Sequence, residues 1–256
     1  DTTVERNGAR LTALPAAHIL GAAMLAVDHG GERLIYTGDV KLRAPLCGAA
    51  TRMEPCDTLI IESTFGLPLF HFLGRDQAAE RIAAFARECF ARQELPVFLG
   101  YPLGRGQELA HVLAEAGIAT AVHGAIARYF PTYEAAGYAF GDWLPWDRPP
   151  ARGEARALVT VPAHVRYLPD YARVAAVSGW ASMHNARARY QATELIPYSD
   201  HADFAELFEL VRQSQARRVY VVHGYAEPLA HLLRDRLGVD AQPAATQLHR
   251  DEEQSP

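Results

Sequence analysis

Pro197-Tyr-Ser-Asp-His-Ala-Asp203, read together with Val221-Val-His-Gly-Tyr225, decides how this chain is understood. Each stretch sets a histidine, His201 or His223, in a short polar segment at the mouth of an apolar run. The same arrangement recurs nearer the start. His18 lies in Pro15-Ala-Ala-His-Ile-Leu-Gly-Ala-Ala23, and Asp39 closes Arg33-Leu-Ile-Tyr-Thr-Gly-Asp39. Thr58-Leu-Ile-Ile-Glu62 is a further apolar run that ends on a carboxylate. Imidazole and carboxylate groups at strand ends are the donors that a hydrolytic zinc site uses.

The bulk composition admits such a site. With 256 residues, 49% hydrophobic and 21% charged, the chain can bury a full core, as one large domain or as a domain carrying an inserted lobe. No apolar run reaches the length of a membrane span, which excludes a transmembrane protein. Asp1-Thr-Thr-Val-Glu-Arg shows no secretory pattern, and it lacks an initiating methionine, so upstream residues are expected to be missing. Cys47, Cys56 and Cys89 are odd in number and form no CxxC pair. That argues against a disulfide framework and a cysteine zinc cluster, and for a reducing, cytoplasmic compartment. The net charge of −5 shows no general basic footprint, so any nucleic-acid surface must be local.

Periodicity gives the organisation. Ala23–Asp28 and Arg33–Thr37 read as a hairpin about His29-Gly-Gly-Glu32, and 58–62 as a strand. Apolar positions at helical spacing predict a helix over 76–92. Strands at 95–101, 118–122, 157–161 and 173–178 alternate with helices at 106–115 and 125–136, with a proline-rich loop over 143–150. This is the pattern of a small parallel α/β unit. The tail reads as helix 204–213, strand 218–222, helix 228–237 and a last strand near 241–245, then a polar frayed end from Gln247 to Pro256. The flanks carry the histidine and aspartate candidates and the middle does not, as expected of a lobe inserted into a host.

Each candidate has an ordinary role when taken alone. Asp39 suits a turn, Glu62 or Ser199-Asp200 suits a helix cap, and Asp203 suits the first turn of a helix. Jointly they fit one chemistry. His18 and His223 offer neutral imidazole nitrogens, and Asp39 a carboxylate able to bridge two metals about 3.5–4 Å apart. Glu62 is suited to orient His201 by accepting its other ring proton. The Ser199 hydroxyl and the amides near Asp203 suit an anion. Gly104-Arg-Gly-Gln107 lacks the ending of a phosphate loop, and Arg105 reads as a phosphate-approaching or a solvated turn arginine. Tyr101, Tyr129, Phe130, Tyr133, Trp143 and Trp146 read either as base-stacking rings or as packed core.

Ala17-His-Ile-Leu-Gly-Ala-Ala23, Tyr36-Thr-Gly-Asp39, Ile61-Glu-Ser-Thr-Phe-Gly66, Ser199-Asp-His-Ala-Asp203 and Val222-His-Gly224 resemble, in order and context, the β-CASP nuclease branch of the metallo-β-lactamase superfamily. Phe65-Gly-Leu-Pro68, Pro102–Gln107 and His223–Pro228 are most similar to bacterial ligase-associated DNA exonucleases, often labelled mRNA 3′-end processing factors. The resemblance covers nearly the whole chain. It implies an α/β fold, the αββα metallo-β-lactamase sandwich, N-terminally incomplete, with an inserted β-CASP α/β cap. Residues 1–67 and 197–256 would be the host and 68–196 the cap. It implies zinc, two ions in the complete protein, held in part by His18, Asp39 and His223. Glu62 would be the acidic residue that opens the cap, and His201, with Ser199, would face the phosphate. It implies a nucleic-acid substrate, DNA or RNA, with a DNA ligase and a helicase as partners.

One departure matters. The family's His-x-His-x-Asp-His, which supplies several ligands, is absent from these residues. The chain as given is therefore expected to be a truncated form that binds metal poorly and turns over little. The leading expectation for the parent is a zinc-dependent DNA exonuclease, with RNA 3′-end processing second. A non-catalytic scaffold of the same fold and a small-molecule metallohydrolase are the readings from other classes. The cap, Glu62 and His201 count against the last.

Overall fold

The computed structural model of the chain describes residues 2–244. The hairpin expected near the start is present. β3 (Ala23–His29) and β4 (Glu32–Tyr36) are antiparallel, and Gly30 and Gly31 take φ of 59° and 81°, which matches the twist of the flanking strands. Before it lie β1 (Thr2–Arg6) and β2 (Ala9–Pro15), two strands that the sequence reading passes over. Every residue of β1 is exposed, so no apolar alternation marks it. β5 (Thr58–Glu62), β12 (Arg218–Val222) and β13 (Asp240–Pro243) extend the sheet in parallel, in the order β1-β2-β3-β4-β5-β12-β13.

Between β5 and β12 the chain builds a second sheet. Its strands are β6 (Leu95–Leu99), β7 (Ala119–Val122), β8 (Trp143–Pro145), β9 (Arg156–Thr160), β10 (Ala172–Val177) and β11 (Glu194–Ile196). The order is β11-β10-β6-β9-β7-β8, and every pairing is parallel. β6 is buried at all five positions, as a continuous apolar run covered on both faces must be. One cover is α1 (Arg75–Ala91) with α2 (Arg105–Glu115); the other includes α5 (Ala186–Tyr190).

Three expectations need correction. The helix read over 125–136 is two short ones, α3 (Gly124–Ala127) and α4 (Phe130–Ala135). Pro131 has no N–H to donate to the preceding turn and is tolerated only at a helix start, so a new helix begins there. β8 lies inside the segment read as a proline-rich loop. The final strand ends at Pro243, and the end read as frayed from Gln247 lies outside the described residues. Among the described residues no helix is long and apolar enough to cross a membrane.

α6 (Phe204–Ser214) and α7 (Ala226–Leu237) cover one face of the first sheet, where Leu207 and Leu233 pack with Ile35, Leu59 and Val219. The α6 cap is Asp203, not Ser199-Asp200. Its carboxylate accepts from the Glu206 amide at 2.9 Å, while Glu206 reaches back to the Asp203 amide at 3.1 Å, a reciprocal capping box. The same carboxylate accepts from Phe72 N at 3.2 Å and from Arg43. Asp203→Ala is therefore expected to destabilise by more than an ordinary cap deletion, about 2–3 kcal/mol against about 1. Asp203→Asn should recover part of it. Urea unfolding of both variants measures the difference; wild-type stability in Asp203→Asn would show that the Arg43 ion pair contributes nothing.

Candidate active site

β5 and β12 run side by side with Glu62 opposite Val222, so Glu62 and His223 leave the sheet at the same edge. His223 and Gly224 both adopt left-handed conformations, with φ of 58° and 49°. At Gly224 a Cβ would stand 2.3 Å from the Ser63 carbonyl oxygen, a close approach that requires glycine. Ser63 Oγ donates to the His223 carbonyl, and Tyr225 N donates to the Ser63 carbonyl at 2.9 Å. The turn that carries His223 is thus fastened to the turn after Glu62.

Glu62 is 1% exposed and fully used. Its Oε1 accepts from Val40 N at 2.9 Å and from His201 Nδ1 at 2.8 Å, and its Oε2 from Thr64 N at 3.1 Å. Burial alone would raise the Glu62 carboxyl, but the His201 hydrogen bond and charge, with those amides, hold it below its ordinary value. Burial would likewise depress His201, yet the Glu62 contact lifts it to about 9. With Nδ1 committed to Glu62, Nε2 is the nitrogen left free.

His18 meets this pair from the opposite side, its ring 4.6 Å from that of His201. His18 Nδ1 donates to the Asp200 carbonyl at 3.2 Å, and its Nε2 stands 3.8 Å from Asp39 Oδ2. That separation is too long for a hydrogen bond. It suits two donors sharing one ion about 2.0–2.2 Å from each, and the carbonyl contact is what a metal-bound imidazole wants on its other nitrogen. Donor atoms of His18, Asp200 and His201 lie within 4.8 Å of one another, and so do those of Asp39, Glu62 and His201. The donor chemistry fits zinc.

The structure therefore brings His18, Asp39, Glu62 and His201 together. Ser199 is 2% exposed and lines the same cleft of about 260 Å³, its Oγ accepting from His201 N at 3.0 Å. The His223 ring belongs to neither donor group and is exposed at the edge of the neighbouring strand.

Asp200 was missed as a site residue, and so was what holds it. Arg105, at the start of α2, is 2% exposed, so it is neither a phosphate-seeking nor a solvated turn arginine. It donates to Glu108 at 2.6 Å, lies 3.4 Å from Asp200 and covers the Tyr198 ring at 4.5 Å. Lys41, 3% exposed, sits over the same ring at 3.9 Å and donates to the Ser199 carbonyl. Burial would raise Asp200, but Arg105 first, then His201 and His18, hold its carboxyl down; burial pushes Lys41 down to about 8. Glu108 also accepts from Leu46 N at 3.0 Å. The pair Arg105 and Glu108, spaced i,i+3 on a helix start, was the signal available in the sequence. Gly104 completes the junction: with φ of 87°, its missing Cβ leaves room for Ile19, beside His18.

The chain is similar to several known proteins. Residues 187–242 match RMMBL, the Zn-dependent metallo-hydrolase RNA specificity domain. A protein named Probable DNA ligase from Opitutus terrae is 36% identical over 242 residues, 90% of this chain and 23% of that protein. Cleavage and polyadenylation specificity factor subunit 3 of Dictyostelium discoideum is 36% identical over 118 residues, 45% of this chain and 15% of its own. Endoribonuclease YSH1 of Saccharomyces cerevisiae is 34% identical over 117 residues, 44% of this chain and 15% of its own. The chain thus spans less than a quarter of these relatives. A crystal structure of a protein of unknown function from Enterococcus faecalis V583 shares the fold, with a TM-score of 0.61 at 12% identity, covering 87% of this chain and 60% of that one. The matches bear out the resemblance to the β-CASP metallo-β-lactamase branch.

Two outcomes follow for the site. Arg105→Met leaves Glu108 and Asp200 buried without their cation and should destabilise by about 3–5 kcal/mol, whereas Arg105→Met with Glu108→Leu should recover much of that in denaturant unfolding. For metal-free protein, a histidine raised above its unfolded value near 6.5 stabilises fully below that pH and loses the contribution as pH rises through about 9. The stability difference between wild type and Glu62→Gln should therefore shrink from about pH 6.5 to 9, while the gain from neutralising buried Lys41 above about pH 8 is common to both; parallel curves for wild type and variant would refute it.

Proposed function

We propose that this RMMBL-bearing metallo-hydrolase chain is part of a zinc-dependent nucleic-acid phosphodiesterase, a DNA exonuclease of the ligase-associated type. The observation that carries the reading is the His201 ring, fixed through Nδ1 by a buried Glu62 and keeping Nε2 free beside the His18–Asp39 pair. The substrate preference rests on coverage. The relative matched over 90% of the chain is named a probable DNA ligase, while the RNA-processing relatives match 44–45%. RNA 3′-end processing is the second reading, favoured by the description of the RMMBL domain over residues 187–242.

In this reading the seven-stranded sheet is one layer of an αββα sandwich, and residues 68–196 are the inserted cap. The change of sheet after Glu62 supports it. So does the sheet face turned away from α6 and α7, where Leu25 and its cross-strand partner Tyr36 are 41% and 39% exposed, an apolar surface suited to a second layer.

His18 and Asp39 would hold zinc, and His223, whose ring lies outside both donor groups, would join them as a third ligand. Zinc held there would supply a Lewis acid for the phosphoryl group and a site that acidifies water. Glu62 keeps the His201 ring oriented and charged. His201 contacts the scissile phosphate through Nε2 and releases that proton to the leaving oxygen. Ser199 holds the His201 backbone in place and adds a hydroxyl at the phosphate side. Three residues are too few for two ions, so these 256 residues alone are proposed to bind zinc weakly and to turn over little. A DNA ligase and a helicase are the proposed partners, and the cytoplasm the proposed compartment.

The test uses the natural gene product in full. His201→Ala should lower cleavage of labelled single-stranded DNA by about 10²–10⁴-fold while zinc content stays near that of wild type. His18→Ala, Asp39→Ala and His223→Ala should lower zinc content as well as activity. Loss of zinc in His201→Ala, with zinc retained in the other three, would overturn these roles. A wild-type protein that cleaves RNA and spares DNA would favour the second reading.

A further inference from the structure

The carboxyl ends of the second sheet's strands meet the His201 cleft at Tyr101. β6 and β9 are neighbours, and their chains depart in opposite directions. β6 continues through α2 to β7, beyond β9; β9 continues to β10, beyond β6. The two connections cross, and a small crevice opens on the other side of β6, where its end at Leu99 meets the end of β10 at Val177. Gly100 N donates to the Thr160 carbonyl at 3.0 Å, which fixes the end of β6 against β9, and Tyr101 follows at once.

Tyr101 differs from the other rings of this unit. Phe130 stacks on Phe140 with centroids 3.6 Å apart, Trp143 meets Phe130 edge-on at 4.9 Å, and Tyr133 is 2% exposed; these are core. Tyr101 is 53% exposed on a loop. It lines the cleft that holds His18, Asp200 and His201, and also the crevice lined by Pro162, Ser178 and Tyr190. A large ring 53% exposed in the wall of the cleft is not accounted for by packing.

A cation stands beside it. Arg189 is exposed on α5, with its guanidinium 5.8 Å from the Trp180 ring and 5.7 Å from that of Tyr190. Trp180 lines the cleft and Tyr190 the crevice, which places Arg189 beside the same rim. Arg105, the arginine that lines this cleft, is buried against Glu108 and Asp200 and has no charge to offer a ligand.

We propose that Tyr101 and Arg189 form a nucleotide subsite at the rim of the cleft, in which the Tyr101 ring stacks a base of a single strand and Arg189 pairs with the adjoining phosphate. Only an unpaired strand presents base faces for such stacking, and stacking tolerates any base. The subsite therefore holds single-stranded nucleic acid with little sequence preference, next to the position where His201 meets phosphate. It rests on the phosphodiesterase reading above.

Equilibrium binding of a fluorescein-labelled single-stranded oligodeoxynucleotide and its RNA counterpart to the full natural protein tests it, with EDTA present to stop turnover. Tyr101→Ala and Tyr101→Leu should each weaken binding by about ten-fold or more, and Tyr101→Phe should bind like wild type. Arg189→Gln should weaken binding and reduce the slope of log K against log salt by about 0.7–1. Tyr167→Ala, at another ring 60% exposed on the same unit, should change nothing. Thermal midpoints of all variants should match wild type, because none of these side chains is buried. Wild-type affinity in Tyr101→Ala or Tyr101→Leu, an unchanged salt slope in Arg189→Gln, or an equal loss in Tyr167→Ala would overturn the subsite and leave the phosphodiesterase reading standing. A wild-type protein that binds neither oligonucleotide would overturn both.

Discussion

The hydrogen bond from His201 Nδ1 to Glu62 is the contact on which the rest of the site depends. A carboxylate that is 1% exposed is tolerated only if its lone pairs meet donors, and Glu62 finds them in three separate stretches of chain. Val40 N comes from the segment after β4, Thr64 N from the turn after β5, and His201 from the segment before α6. Satisfying one buried charge therefore fixes the relative positions of Asp39, the β5 end and His201. Among the described residues no other single one gathers so much of the candidate centre.

A second buried group does for the junction what Glu62 does for the centre. Arg105 belongs to the second sheet's helix α2, but its partners extend to Asp200 beside His201, and Glu108 accepts an amide from Leu46 in the first part of the chain. The Asp200 carbonyl in turn orients His18. The chain of contacts runs from α2 through Arg105 and Asp200 to a metal-ligand candidate. Buried ion pairs contribute little net stability when compared with apolar packing, so their value here lies in orientation. An apolar substitute would pack as well, but it would not tell Asp200 where to point.

Most of the fold was legible because its elements announce themselves by period. β5 and β12 are short apolar runs bounded by polar residues, and the structure has them at the very residues read, 58–62 and 218–222. β1 was illegible because a strand exposed on both faces carries no alternation, and the break between α3 and α4 was missed because apolar spacing continues across Pro131. At the site, strand-end position marked His18, Asp39, Glu62 and His201. Asp200 and Arg105 were not marked, because their roles arise from burial between two sheets far apart in sequence, and burial of a charge leaves no local pattern. Asp203 was read as a dipole partner because its capping function depends on where the helix begins, a boundary that Ser199 and Asp200 suit equally well on paper.

Charge placement bears on how an acidic chain engages a polyanion. The chain carries a net −5, and many of its arginines already face carboxylates: Arg33 with Glu54, Arg43 with Asp203 and Glu206, Arg81 with Glu194, Arg156 with Asp142 and Arg173 with Glu94. A paired guanidinium neutralises little of a phosphate's charge and releases few counterions. On the proposed reading, recognition cannot be a broad basic face. It must be concentrated where the metal, the charged His201 and an exposed ring act within one cleft, so the strand is held at the scissile bond and only loosely elsewhere. A nuclease built this way releases the remainder of its substrate easily after each cut, because little of the binding energy lies outside the centre that performs it.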